Sequence, residues 1–509
     1  MLSRTYSSTC FGIDAYLVDI EVDARNGMPQ FNIVGLPDQA VRESKERVRS
    51  ALVNSGFWIP PKRITVNLAP ADIKKEGPAF DLAIAIGLLA STGFVKREPL
   101  NKFLMVGELA LDGSLRQVRG ALPIAHLARR KNLVLILPEQ NAEEASLEDG
   151  CAIYTASSLK TVIQTMNGEW VLKKVSTASD SSRLYSDDTD EGDFSEVKGQ
   201  YHAKRAAEIA TSGGHNLLFI GPPGAGKTMI AKRIPTVLPE LSRSEHIEIA
   251  KIYSAAGTLG NRTQIVTRPF RAPHHTISQI GLVGGGSIPR PGEITLAHRG
   301  VLFLDEFPEF RRDAIEALRA PMEEGCILIA RAKMNILFPA QFLTVCAMNP
   351  CPCGYLTSPK RPCRCTMAQI QRYHQKISGP ILDRIDLHVE IPAIEYRDLV
   401  SQAQEESSRE IRERVNQART LQAARFPGSA GKTNALMTTK EIQTYCAVHE
   451  AGKKLLERAM SELHLSARGY HKILKIARTI ADLAHSEMIE ESHIAEAIQY
   501  RTLDRNWFG

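Results

Sequence analysis

The sequence of 509 residues has no apolar run long enough to cross a bilayer. Its best candidate, Leu82–Val95, falls short of the roughly 20 residues a spanning helix needs, and Asp81 stands at its edge. No secretory leader is expected either, because Arg4, Asp14 and Asp19 interrupt the N-terminal region. Neither sign of charge dominates: the formal net charge of +6 permits nucleic-acid binding without demanding it. These absences exclude a membrane span or membrane partner, and they set the expectation of a cytoplasmic protein with reduced cysteines. A hydrophobic content of 43% and a charged content of 24% fit stable globular cores. The length suits about two to four domains.

What is present is a phosphate-binding signature. Leu217–Ile220 reads as a short buried strand and runs into Gly221, Pro222, Pro223, Gly224, Ala225, Gly226, Lys227 and Thr228. This is a P-loop without a mismatch. Its glycines let backbone N–H groups point at phosphate oxygens; Lys227 reaches the β- and γ-phosphates of ATP, and the Thr228 hydroxyl ligates Mg²⁺. A helix starts here and turns its positive end to the anion. Ile230, Ile234, Val237 and Leu241 follow helical spacing, with Pro235 expected to kink or shorten the helix. A second apolar run, Val301–Leu304, ends in Asp305 and Glu306. An acid at the carboxyl end of a strand beside a P-loop holds Mg²⁺, which is the role expected of Asp305. Glu306 is then placed to polarise the attacking water. A third run, Leu343–Met348, ends at Asn349, whose amide suits orientation of that water.

The remainder of the chain divides around this core. Residues 1–172 read as an α+β domain. Tyr16, Val18, Ile20 and Val22 alternate as a half-buried strand does, and Asp38 is placed to cap a helix with Val41, Val48 and Leu52 on its inner face. Residues 173–194 are polar and acidic, the composition of a flexible linker. Residues 195–395 alternate strands and helices, which gives a parallel sheet with helices on both faces. Residues 396–509 read as a helical lid, with Ile473, Ile476, Ile480 and Leu483 as an inner stripe and Ser492 as the cap of the last helix. Glu405, Glu406, Arg409, Glu410, Arg412 and Arg414 mark a charged surface helix.

Several features leave two readings open. Ile327–Ala330 and Ile336–Phe338 flank Arg331 and Lys333, which reads as a hairpin with a basic tip, either contacting DNA phosphates or forming an ordinary solvated turn. His274 and His275 either ligate a metal or line a loop, and adjacent histidines diverge, which favours the loop. Cys351, Cys353, Cys363 and Cys365 suit four-thiolate Zn²⁺ as a closed structural site, against free or redox-active thiols. Arg384 either reaches the nucleotide of a neighbouring subunit or pairs locally with Asp383 or Asp386. Arg468, at the start of a lid helix, is expected to face the γ-phosphate.

Two resemblances follow from these residues. Lys75–Phe80 and the stretch from Gly107-Glu108 through Asp112-Gly113 to Leu137-Pro138-Glu139 resemble the Lon protease domain. The resemblance puts the serine nucleophile at Ala79 and the lysine base near Pro123, so this chain has neither side chain of serine–lysine chemistry. From Arg271 to Glu306 the chain resembles magnesium-chelatase-like AAA+ ATPases, reading Arg-Ala-Pro-His-His-Thr, then Gly-Leu-Val-Gly-Gly-Gly, then Pro-Gly-Glu-Ile-Thr-Leu-Ala-His-Arg-Gly before Val301–Glu306. Together with the Lon-like N-terminus and the cysteine cluster, it resembles the ComM/YifB family over nearly its full length. That resemblance implies a homohexameric ring with nucleotide sites between subunits, Asn349 as sensor one, Arg384 as arginine finger and Arg468 as sensor two. It also implies an ATP-driven helicase that moves branch points on single-stranded or branched DNA while incoming DNA is integrated in natural transformation. The alternatives are a chelatase-like subunit or a protein-remodelling ATPase that does not act on DNA.

Overall fold

The computed structural model describes residues 2–59, 61–98, 100–169, 171–175, 192–259, 267–286, 289–330, 335–356, 361–394, 405–429, 431–462 and 466–501. The N-terminal part is built on a mixed sheet. Its strands lie in the order Lys173–Lys174, Ile153–Ala156, Val134–Pro138, Phe103–Met105, Leu2–Phe11, Asp14–Arg25, Arg63–Ala69, Gln30–Val34. Val18, Ile20 and Val22 are buried, as their alternation predicts. The first strand carries no such signal, because its buried positions include Ser3, Thr5 and Ser7. The Ser3 hydroxyl donates to the Gly87 carbonyl at 2.6 Å and the Thr5 hydroxyl to that of Ala83 at 3.0 Å. Short hydroxyl side chains let the strand lie close to the helix Asp81–Thr92 and satisfy their own polarity there.

That helix is the apolar run weighed against a membrane span. It is buried from Asp81 to Ser91, which is why it is apolar all round. No described helix is long and apolar enough to cross a membrane. Asp81 starts the helix in full burial and accepts two hydrogen bonds from Arg47, at 2.7 and 3.1 Å, and one from the Leu109 N–H. Asp38 caps the helix Gln39–Asn54, its carboxylate accepting from the Val41 N–H at 2.7 Å.

The second sheet is parallel throughout, in the order Phe270–Arg271, Val301–Leu304, Leu343–Met348, Leu217–Ile220, Leu387–Glu390. Leu217 and Phe219 point into a core shared with the lid helices, while Leu218 and Ile220 point into a separate core with Leu304, Met348 and Phe338. Both faces are thus covered, as a parallel sheet requires. The helix Lys227–Val237 tolerates Pro235 only in its last turn and stops two residues later, so Leu241 lies beyond it rather than on its inner face. The segment after Glu306 is two short helices, Arg312–Glu316 and Arg319–Glu324. Cys326–Ala330 and Asn335–Pro339 form the expected hairpin; Arg331 and Lys333 lie outside the described residues. Its base meets the N-terminal part: Phe11 and Ile13 pack against the cluster that holds Ile336 and Phe338.

The stretch expected as a linker is pinned at both ends. Lys173–Lys174 joins the first sheet, and the Asp193 carboxylate accepts from the Ser408 N–H at 3.0 and 3.2 Å. In the lid, Glu405 and Arg414 do not simply face water. Glu405 pairs with Lys204 at 2.6 Å with both side chains buried, and Arg414 bridges Glu208 and Glu406. Ile473, Ile476 and Ile480 line the inner face of Ala467–Leu483. The last helix, Glu491–Gln499, is capped by Glu490 rather than Ser492, whose position falls inside the first turn.

One buried ionic node ties the lid to the second sheet. Asp386 sits against Lys472 at 3.0 Å, with His215 at 3.8 Å. Burial alone would raise the Asp386 pKa, yet Lys472 and His215 hold it far below the usual carboxylate range. Asp386→Asn leaves Lys472 in a largely buried setting without its counter-charge, an expected loss of about 3 kcal/mol. Urea unfolding checks this, and a change under about 0.5 kcal/mol, the scale of an ordinary surface substitution, would count against the node.

Candidate nucleotide-binding site

The site forms where three parallel strands end together. Ile220 pairs in register with Met348, so Gly221 and Asn349 leave the sheet side by side, and Leu304 on the next strand delivers Asp305. Gly221 passes so close to the neighbouring strand that a Cβ would meet the Ile391 carbonyl oxygen at 2.2 Å. Gly226 takes φ +90° just before the helix begins at Lys227, a conformation that favours glycine.

Lys227 folds back over this loop. Its ammonium donates to the carbonyls of Gly221 at 2.6 Å and Pro222 at 3.0 Å and to Asn349 Oδ1 at 3.1 Å. Burial lowers its pKa to about 8, against a raising influence from Asp305. Thr228 Oγ1 donates to Asp305 Oδ2 at 2.8 Å, and Asp305 Oδ1 accepts from the Glu306 N–H at 2.9 Å. The hydroxyl and carboxylate are both hard oxygen donors of the kind a divalent cation takes. Glu306 adopts φ +52°, which is uncommon for a residue with a side chain. Its carboxylate reaches outward to His275 Nδ1 at 3.3 Å, and the His275 ring lies tilted at 33° against His274 with centroids 4.1 Å apart. The sequence noted these histidines without indicating Glu306 as a partner, because 31 positions separate His275 from Glu306 and only folding brings them together.

The two arginines lie elsewhere in the chain's own fold. Arg384 pairs with Glu323 at 2.6 Å and donates to the Pro380 carbonyl, rather than pairing with Asp383 or Asp386. Asp383 instead faces Arg468 at 3.8 Å, while Asp386 is committed to Lys472. Arg468 is 69% exposed, and its ion pair is with Asp383 rather than with a P-loop residue. Both guanidinium groups therefore gather at the turn 379–386. The Lon-like positions are apolar: Ala79 packs against the cluster containing Ala121 and Ile124, and Pro123 is buried in the same helix, Ala121–Arg130.

The four cysteines follow directly on Asn349. Cys351, Cys353 and Cys363 have sulfur separations of 3.4, 3.6 and 3.6 Å, and all four sulfurs lie within 4.8 Å of one another. A tetrahedral site with Zn–S near 2.3 Å has edges of about 3.8 Å, so the donor set fits that ion. Backbone N–H groups of Arg364 and Tyr355 lower the Cys353 thiol to about 6, whereas burial pushes the Cys351 thiol up to about 12 and raises that of Cys365, so the case for a metal stands on the sulfur geometry.

Residues 193–399 match the family described as magnesium chelatase, subunit ChlI. Residues 20–141 match subunit ChlI of Mg-chelatase, and residues 405–501 match its C-terminal family. Over 505 residues the chain is 46% identical to competence protein ComM of Haemophilus influenzae, covering 99% of this chain and 98% of that protein. The chain belongs to the ComM/YifB family of magnesium-chelatase-like AAA+ proteins. Protein YifB of Escherichia coli is 42% identical over 508 residues, covering 99% of this chain and 98% of that protein. Lon protease 2 of Bacillus subtilis is 27% identical over 146 residues, 27% of this chain and 26% of that protein. The family implies an ATPase with ATP and Mg²⁺ as ligands, and the cradle built by Lys227, Thr228, Asp305 and Asn349 fits both.

The lowered Lys227 pKa carries a pH dependence. Triphosphate prefers the charged ammonium, which is fully populated well below pH 8 and titrates away above it in the nucleotide-free protein. Affinity for a fluorescent ATP analogue is expected to be flat from pH 6 to about 7 and to weaken toward tenfold per unit above about 8. A profile flat through pH 9 would contradict this environment for Lys227.

Proposed function

We propose that the protein is an ATP-driven homohexameric DNA motor that moves branch points and promotes integration of incoming DNA during natural transformation. The observation that carries this reading is the likeness to a competence protein over 99% of this chain and 98% of that protein. Thr228 and Asp305 would hold Mg²⁺, which would supply neutralisation of phosphate charge. Lys227 exchanges its carbonyl contacts for phosphate oxygens. Asn349, freed from Lys227, orients the attacking water beside the γ-phosphate. Glu306 accepts the proton of that water as the γ-phosphoryl group leaves ADP, and His275 beside it fixes the carboxylate. Arg384 of one protomer leaves Glu323 and faces the nucleotide of the next, where it stabilises charge on the transferred group. Arg468 approaches from the lid. The hairpin carrying Arg331 and Lys333 contacts the DNA backbone and moves with the site. Cys351, Cys353, Cys363 and Cys365 hold a structural Zn²⁺, and the protein works in the cytoplasm.

A second reading is a chelatase-like or protein-remodelling ATPase that does not act on DNA, favoured by the family descriptions themselves. Turnover separates the two. Branched or single-stranded DNA is expected to raise ATP turnover of the motor several-fold, and unchanged turnover over a range of low salt would favour the second reading. Glu306→Gln is expected to bind ATP while turning over at least about 100-fold more slowly. Normal turnover in Glu306→Gln would remove it as the base. Lys227→Ala is expected to abolish nucleotide binding, checked by titration with a fluorescent ATP analogue.

A further inference from the structure

The four-cysteine loop touches the nucleotide site at both ends and in the middle. It leaves Asn349, whose side chain holds Lys227. Cys351 is fully buried, and its carbonyl accepts from the Gly354 N–H at 2.9 Å. Gly354, at φ +84°, lies flush on the P-loop. A Cβ there would come within 2.7 Å of Pro223 Cδ and 2.9 Å of its Cγ, and 3.7 Å from Asn349 Cγ. Past the last cysteine, the helix Met367–His374 turns the chain back: His374 Nε2 lies 2.9 Å from the carbonyl oxygen of Pro350, the residue after Asn349. The loop thus closes on itself beside the water-orienting amide, with its inner turn seated on the P-loop.

We propose that metal bound by Cys351, Cys353, Cys363 and Cys365 positions the nucleotide site through the Gly354–Pro223 contact, so that metal and nucleotide bind with positive cooperativity. This rests on the zinc and ATP readings above. Four sulfurs on a tetrahedron fix the Cys351–Gly354 turn. That turn fixes Pro223 from outside the P-loop and Asn349 beside it. Without the ion the turn has far fewer constraints, and Pro223 loses a rigid neighbour. Gly354 and Pro223 act here as positioning residues. Cooperativity must be reciprocal: if zinc tightens ATP binding by some factor, ATP tightens zinc binding by the same factor.

The test uses the full-length protein purified without chelators. Zinc is measured per chain, and its affinity is then found by competition with a chromophoric zinc chelator of known affinity, with and without saturating Mg²⁺ and a non-hydrolysable ATP analogue. The expected result is one zinc per chain, bound about fivefold or more tightly with nucleotide, and a matching loss of nucleotide affinity in zinc-stripped protein. Gly354→Ala is expected to keep its zinc and lose the dependence on nucleotide. Lys227→Ala is expected to keep its zinc and show no dependence. Absence of zinc from the wild-type protein would overturn the metal reading itself. Zinc held with equal affinity in both conditions would leave the metal reading standing and overturn the coupling.

Discussion

A buried ammonium without a contacting carboxylate is the constraint around which the nucleotide site is arranged. Lys227 is 8% exposed, and its three hydrogen-bond acceptors are neutral oxygens. Neutral partners satisfy its protons and leave its charge available for an anion, at the cost of a pKa that burial has lowered. That arrangement needs three chain segments to end at one place. The parallel register of Leu217–Ile220, Val301–Leu304 and Leu343–Met348 provides it, since each strand runs out on the same edge. The carboxyl edge of a parallel sheet is where ligands bind in open α/β folds generally.

The two arginines and the lid are joined by a different interaction. Lys472, one helical turn after Arg468, reaches both the Asp386 carboxylate and the Ile385 carbonyl. Arg501 also donates to the Ile385 carbonyl. The turn that carries Arg384 is therefore fixed to the lid by buried polar contacts, in a setting where breaking one partner is costly. In the proposed motor this makes lid and finger one body. A lid rotation driven by the nucleotide of one protomer then carries Arg384 with respect to its neighbour.

Much of this was legible in the sequence, for physical reasons. The P-loop is local: strand, glycines, lysine and helix are consecutive, so spacing alone specifies the cradle. Asp305 and Asn349 were legible because each ends a short apolar run, and a buried parallel strand has little other appearance. The strand Leu2–Phe11 was not, because its inward face carries Ser3, Thr5 and Ser7, and Ser3 and Thr5 are held there by hydrogen bonds to a helix about 80 residues away, which no local alternation encodes. From sequence Arg384 reads either as reaching a neighbouring subunit's nucleotide or as pairing with Asp383 or Asp386, yet its partner within the chain is Glu323 on another element. Partner choice among charges depends on which backbone segments meet, and sequence distance is a poor guide to that. The Ser492 cap failed for a smaller reason. Glu490 takes the cap position two residues earlier, its own N–H donating to His493 Nδ1 at 3.1 Å, and helix boundaries shift readily by that amount.

The central claim is that ATP hydrolysis does mechanical work on DNA. Strand displacement on a three-stranded DNA junction tests it most directly, with purified full-length protein and either ATP or a non-hydrolysable analogue. The account predicts branch movement with ATP and Mg²⁺ and none with the analogue. Junctions left intact under hydrolysing conditions, by protein that binds them and turns over ATP, would contradict it.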